Sequence, residues 1–212
     1  MPKQATKAGD GLTREERTRR EILVATRALV ERYGFAKLTL DDIAGALGKK
    51  KSFLYYYYSD KEAILAAAIE AETVEMQKEV DKALAKDPTG LAKIRTYILV
   101  CHQEIQKRLP IITQLRGEIR AKNRDTLGIL LEKSKELMKM DLPLLNALME
   151  EGVRDGSMRS FGAREIEAMA HFISLALHGI EYDYILEDAD EHFEENLRIA
   201  LGVMEHGIAA RS

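Results

Sequence analysis

The chain has 212 residues, 46% hydrophobic and 32% charged, with four prolines, no tryptophan and a formal net charge of −3. That is enough for one large domain, or a small and a medium one, and the composition favours helices over a β-rich fold. A lone cysteine, Cys101, excludes an internal disulfide, no charged-then-apolar leader opens the sequence, and no run reaches the ~18 apolar residues of a membrane span; a soluble cytoplasmic protein with no membrane partner is expected.

The charge is unevenly spread. Residues 1–65 hold 13 Lys+Arg against 9 Asp+Glu, and the remainder 19 against 26. A modest basic excess at one end beside an acidic body points to nucleic acid at that end only. Residues 1–12 lack periodicity and read as an arm. Thr13-Arg14-Glu15-Glu16 has the spacing of a capping box, and Ile22, Ala25, Leu29 and Val30 form a helical stripe ending at Tyr33-Gly34. Thr39 with Asp42, and Ser59 with Glu62, repeat the capping pattern.

Between those two caps lies TLDDIAGALGKKKSFLYYYYSDKE, residues 39–62. It reads as two short helices around a tight corner. Ile43, Ala44 and Leu47 form the inner face of the first, Leu54 and Tyr58 that of the second. Ala44 lets the helices approach, and Gly48 takes the corner, where positive φ is needed. The exposed positions carry Lys49, Lys50, Lys51 and Ser52, then Tyr55, Tyr56 and Tyr57. A helix-turn-helix so coated suits a DNA major groove and its phosphates; the alternative is a basic, aromatic corner of a helical core.

Within this head, Thr39 is expected to cap its helix, whose first amides can approach a phosphate. Lys50, Lys51, Ser52 and Phe53 lead the second helix, where a lysine can donate to guanine and Phe53 can touch a thymine methyl. Tyr56 is expected to face the groove, with Tyr55 and Tyr57 at phosphates or half-buried, and Tyr58 in the core. Arg17, Arg19 and Arg20 read equally as phosphate contacts or a solvated face.

Residues 61–86 form one alanine-rich run, expected to be a rigid linker helix of about seven turns. Asp87-Pro88 is expected to end it and cap the next, which carries Leu91, Ile94, Ile98, Leu99 and Ile105. Pro110 and Pro143 are expected to interrupt helical patterns around Ile112–Ile119 and Leu127–Met138. A further helix from Leu144 to Val153 closes in the turn Arg154–Ser157. Two final helices are expected at about 163–186 and 190–208, the first apolar on more than one face and so placed for a subunit contact.

No nucleophile elbow, phosphate loop, dinucleotide fingerprint or zincin motif occurs, so an enzyme is not expected, nor a cofactor or metal. Cys101 and His102 are adjacent and diverge on a helix. His171 and His178 share a face with Ser174 and Tyr182, read either as satisfied interior or interface groups or as a ligand-lining or metal face. Asp183, Glu187, Asp188, Asp190 and Glu191 form an acidic junction, most simply solvated.

Residues 13–65 resemble the TetR family of bacterial transcriptional regulators. The resemblance rests on TRREIL at 18–23, YGF at 33–35, T-x-x-DIA at 39–44, LG at 47–48, LYYYY at 54–58, and Lys61-Glu62 before Leu65. It implies an all-α homodimer: a helix-turn-helix domain over 1–60, then a helical ligand-binding and dimerisation domain over 61–212. It further implies a repressor released from a palindromic duplex operator by a small molecule, with Lys61 as a phosphate ligand and self-association through about 163–208. The cavity would lie among the helices at 88–108, 111–122, 124–140 and 164–186, with Tyr97, His102, Arg116 and Phe172 as candidate ligand contacts. The competing reading is a constitutive DNA- or partner-binding helical protein that senses nothing small. Two positions depart from the family: Lys49 stands where an apolar residue is usual, and Lys50 where a Ser or Thr caps the second helix.

Overall fold

The computed structural model describes residues 12–107, 124–186 and 193–210. Arg116, Pro110, the pattern around Ile112–Ile119 and residues 187–192 of the acidic junction lie outside them, as does the arm up to residue 11. The described helices are α1 Arg14–Tyr33, α2 Leu40–Ala46, α3 Lys51–Leu54, α4 Lys61–Leu84, α5 Gly90–Lys107, α6 Arg124–Arg154, α7 Ala163–Leu186 and α8 Phe193–Ile208. Apart from them, one isolated bridge joins Met158 and Ala209. The fold is all-α. It divides into two compact units, residues 1–69 and 70–212, with the division inside α4.

The first unit buries one face of each short helix. Ile22 and Val30 of α1 meet Phe35, Leu38, Ile43, Ala44 and Leu54, with Ile64 and Leu65 from the start of α4. Thr26 is buried among them because its hydroxyl donates to the Ile22 carbonyl at 2.8 Å, removing the penalty of an enclosed donor. Both expected capping boxes form at Thr13/Glu16 and Thr39/Asp42. The third does not. Asp60, not Ser59, caps α4: its carboxylate accepts from the Ala63 amide at 2.7 Å, while the Ser59 hydroxyl donates to Asp60. A carboxylate beside a serine is the stronger acceptor for a helix amide.

The core of the second unit is formed by Val80 and Leu84 of α4, Ile94 and Ile98 of α5, Leu145 and Met149 of α6, Ile173 and Leu177 of α7, and Leu201 and Ile208 of α8. Asp87-Pro88 precedes α5 without capping it. The α5 amides are instead met by Thr89 and, from the turn after α6, by Asp155 Oδ2 at 2.7 Å from Gly90 N and Ser157 Oγ at 3.2 Å from Leu91 N. Gly90 is required there: a Cβ would stand 2.2 Å from the Gly152 nitrogen. Pro143 does not end a helix either, because α6 runs through it to Arg154. One lost ladder bond is offset where Leu145, Leu148 and Met149 are buried in the following turns. Gly156, with φ 77°, then makes the expected turn.

Candidate nucleic-acid interface

α2 ends in a corner that its own backbone closes. Lys49 N donates to the Ala44 carbonyl at 2.8 Å and Gly48 N to Gly45 at 3.0 Å, with Gly48 at φ 64°. The left-handed conformation explains the glycine. α3 then spans only Lys51–Leu54, anchored by a fully buried Leu54. Lys50 occupies its cap position with no side-chain bond to the helix amides, since an ammonium cannot accept.

The tyrosines do not extend α3 as the sequence reading placed them. They follow it in a turn, where Tyr57 N and Tyr58 N both reach the Leu54 carbonyl at 2.9 Å. Tyr56 is 78% exposed and Tyr55 54%, whereas Tyr57 is half-buried, as is Tyr58. Phe53, Tyr57 and Tyr56 form an aromatic row with centroids 5.2 and 5.0 Å apart. Lys49, Lys50 and Ser52 are exposed. The Lys49 ammonium lies 5.6 Å from the Phe53 ring centre, and half-buried Lys51 pairs with Asp41 at 3.4 Å.

Three side chains hold this head together. The Thr39 hydroxyl accepts the Asp42 amide at 3.2 Å and donates to the Asp42 carboxylate at 2.6 Å. The Thr39 hydroxyl foremost, and then the Thr39 amide, which donates to Asp42 Oδ2 at 2.9 Å, hold Asp42 below the usual carboxylate range. Arg19 of α1 donates through Nη1 to the Tyr57 carbonyl at 3.1 Å and through Nη2 to Glu15 at 3.1 Å. Its guanidinium also lies 5.5 and 5.3 Å from the centres of the Tyr57 and Tyr58 rings, and its pKa is raised chiefly by Tyr58. Arg19 is therefore an internal clamp on the tyrosine turn, a role its place in an arginine-rich helix did not announce. Lys61 likewise turns inward, donating to the carbonyls of Phe35 at 3.2 Å and Ala36 at 3.3 Å over the Phe35 ring. It closes the α1–α2 loop.

The candidate ligand contacts do not converge. Tyr97 is buried and donates to Asp141 Oδ1 at 2.5 Å, and burial foremost pushes its phenol far above the usual range. His102 is buried too, but Phe172 is 59% exposed and points away from the core. His171 is exposed while His178 lies 2.6 Å from Asp141 Oδ2, so the two histidines share no site. Among the described residues no cluster could hold a metal ion, and no helix is long and apolar enough to cross a membrane. Asp141 was missed by sequence reasoning: one carboxylate between Met140 and Leu142 carries no motif.

Residues 22–68 match the family profile described as bacterial regulatory proteins, tetR family. Over 59 residues the chain is 39% identical to the uncharacterised HTH-type transcriptional regulator YvaF of Bacillus subtilis, covering 28% of this chain and 30% of that protein. Over 144 residues it is 25% identical to the fatty acid metabolism regulator protein of the same organism, covering 66% and 70%. The chain thus spans under a third of the first relative's length. Among solved structures, a TetR-family transcriptional regulator from Cytophaga hutchinsonii superposes with a TM-score of 0.73 at 17% identity, over 96% of this chain and all of that one. At that identity the likeness establishes the fold.

Proposed function

We propose that this chain, whose residues 22–68 match the tetR family profile, is a TetR-family repressor that binds a palindromic operator as a homodimer and is released by a small molecule. The observation carrying the DNA reading is the α2–corner–α3 head, with its exposed Lys49, Lys50, Ser52 and Tyr56 set on a core fixed by Leu54 and Arg19. Lysines there neutralise phosphates, and the leading residues of α3 with Tyr56 meet base edges. Tyr55 and Tyr57 flank the groove, and Thr39 presents the start of α2 to the backbone.

The dimer reading is supported by apolar side chains left in solvent on the last two helices. Phe172 and Leu175 are exposed three residues apart on α7, and Ile199 and Val203 four apart on α8. Stripes of that spacing match the contact faces of a four-helix bundle made by two copies. A two-fold dimer reads two inverted half-sites. Release by a ligand draws support from α4, a 24-residue helix without a break, which belongs to both units and can carry a displacement from one to the other. Similarity to a fatty acid metabolism regulator protein supports an apolar effector for this chain.

Selection of bound duplexes from a random pool tests the proposal. A palindrome bound by two copies is expected. Recovery of unrelated sequences, or of a single half-site bound by one copy, overturns it.

A further inference from the structure

The apolar core of the second unit contains one polar knot, drawn from three helices. Asp141 of α6 accepts the Tyr97 hydroxyl of α5 at 2.5 Å on one oxygen, and His178 Nε2 of α7 lies 2.6 Å from the other. One turn before His178, on the same face of α7, stands Ser174. It is wholly enclosed, and its Oγ has no hydrogen-bond partner. Leu145, Met149, Ile173 and Leu177 are buried in the same core.

Packing does not ask for these groups. An enclosed hydroxyl without a partner lowers stability, and a buried carboxylate network is on average no more stabilising than apolar side chains of equal volume. Alanine at 174 would remove the unpaired atom at almost no change in shape. An unsatisfied buried polar atom therefore calls for a partner that binds there.

We propose that Tyr97, Asp141, Ser174 and His178 are the polar anchor of the effector site, which takes the hydrogen-bond-donating head, a hydroxyl or an amine, of an otherwise apolar small molecule. This rests on the ligand-released reading above. The polarity of the head follows from the lone pairs on offer. Each Asp141 oxygen keeps a second acceptor site, and the Ser174 oxygen is unoccupied, so a donor is satisfied on arrival. A carboxylate head would bring a second negative charge against Asp141, and among the described residues only the His178 ring, charged when protonated, stands there to offset it; such a head is disfavoured on that ground. The surrounding side chains solvate the apolar body, and Met149 can repack around it.

The test uses the full chain with three ten-carbon probes: 1-decanol, decylamine and decanoate. Thermal shift and operator release are read together. Decanol and decylamine are expected to raise the melting temperature and free the operator, and decanoate to do neither. Ser174→Ala should weaken both donor-ended probes by about 3- to 10-fold, the loss of one hydrogen bond, and Asp141→Asn should weaken decylamine more than decanol. Should Asp141→Asn fail to fold, Ser174→Ala and Tyr97→Phe carry the test. Equal binding of decanoate, indifference of the donor-ended probes to Ser174→Ala, or no binding of decanol and decylamine up to their solubility overturns the anchor. Release of the operator by decanoate would discard the anchor and keep the repressor. Failure to find any duplex that binds would discard the repressor itself.

Discussion

Arg19 and Lys61 are cations of the DNA-reading unit that donate to backbone carbonyls, those of Tyr57 and of Phe35 and Ala36. Lys50 sits in the same unit with its ammonium in solvent and no bond to the helix it caps. These arrangements respond differently to salt, because only a cation that displaces counterions from phosphate changes the slope of log affinity against log salt, by about 0.9 per contact. Lys50→Gln is expected to make that slope shallower by about 1.8 for a dimer. Arg19→Gln should instead lower operator affinity by about tenfold, through loosening of residues 55–58, and leave the slope unchanged. Fluorescence anisotropy across a salt series separates them, and a shallower slope for Arg19→Gln would return it to the phosphate. Lys61→Met should lower the stability of the reading unit by about 1–2 kcal/mol in a denaturant titration, the worth of its charge-assisted bonds. Nothing in the run TRRE tells which arginine faces inward. That depends on a carbonyl 38 residues away.

Helix ends divide by how local their chemistry is. Thr13 with Glu16 and Thr39 with Asp42 close within one turn, so their residues alone announce them. Ser59 misled because Asp60 beside it is the better acceptor. The start of α5 was out of reach: Asp155 and Ser157 reach it from 65 and 66 residues away. Pro143 by itself signals a stop, since its own turn gives no hint of the burial that carries α6 through it. Two outcomes follow for the α5–α6 junction. Gly90→Ala should destabilise the protein by about 1–3 kcal/mol, the cost of overpacking, because its Cβ would collide with backbone at Gly152. Asp155 is held below its ordinary value of 3.8, first by the Ser157 hydroxyl and then by the Gly90 amide. Its folded-state pKa is the lower one, so its stabilisation is present above that ordinary value and is lost as pH falls through the folded one. Wild type should therefore lose its advantage over Asp155→Asn progressively on acidification from about pH 4 downward in matched melts; an advantage that does not shrink as the pH falls would contradict the assignment.

At the scale of the molecule, helical periodicity and the corner at Gly48 made the all-α architecture and the reading head legible, because both are written in short-range spacing. The polar knot in the core of the second unit was not legible. It joins residues 44 and 37 positions apart, and Phe172, an apparent cavity residue by type, is on the outside. That exposure has its own consequence. Val203, 71% exposed in the middle of α8, should be covered by the second copy, so Val203→Glu is expected to raise the dimer dissociation constant more than about tenfold. The melting temperature of the dilute monomer should be unchanged; sedimentation velocity and a thermal melt together check this. The most direct measurement is equilibrium binding of the selected duplex between about 50 and 200 mM salt. With Lys49 and Lys50 of both heads each neutralising one phosphate, log affinity should fall linearly with log salt at a slope of about −3.6. A slope near zero, or no binding at the low-salt end, would contradict the account.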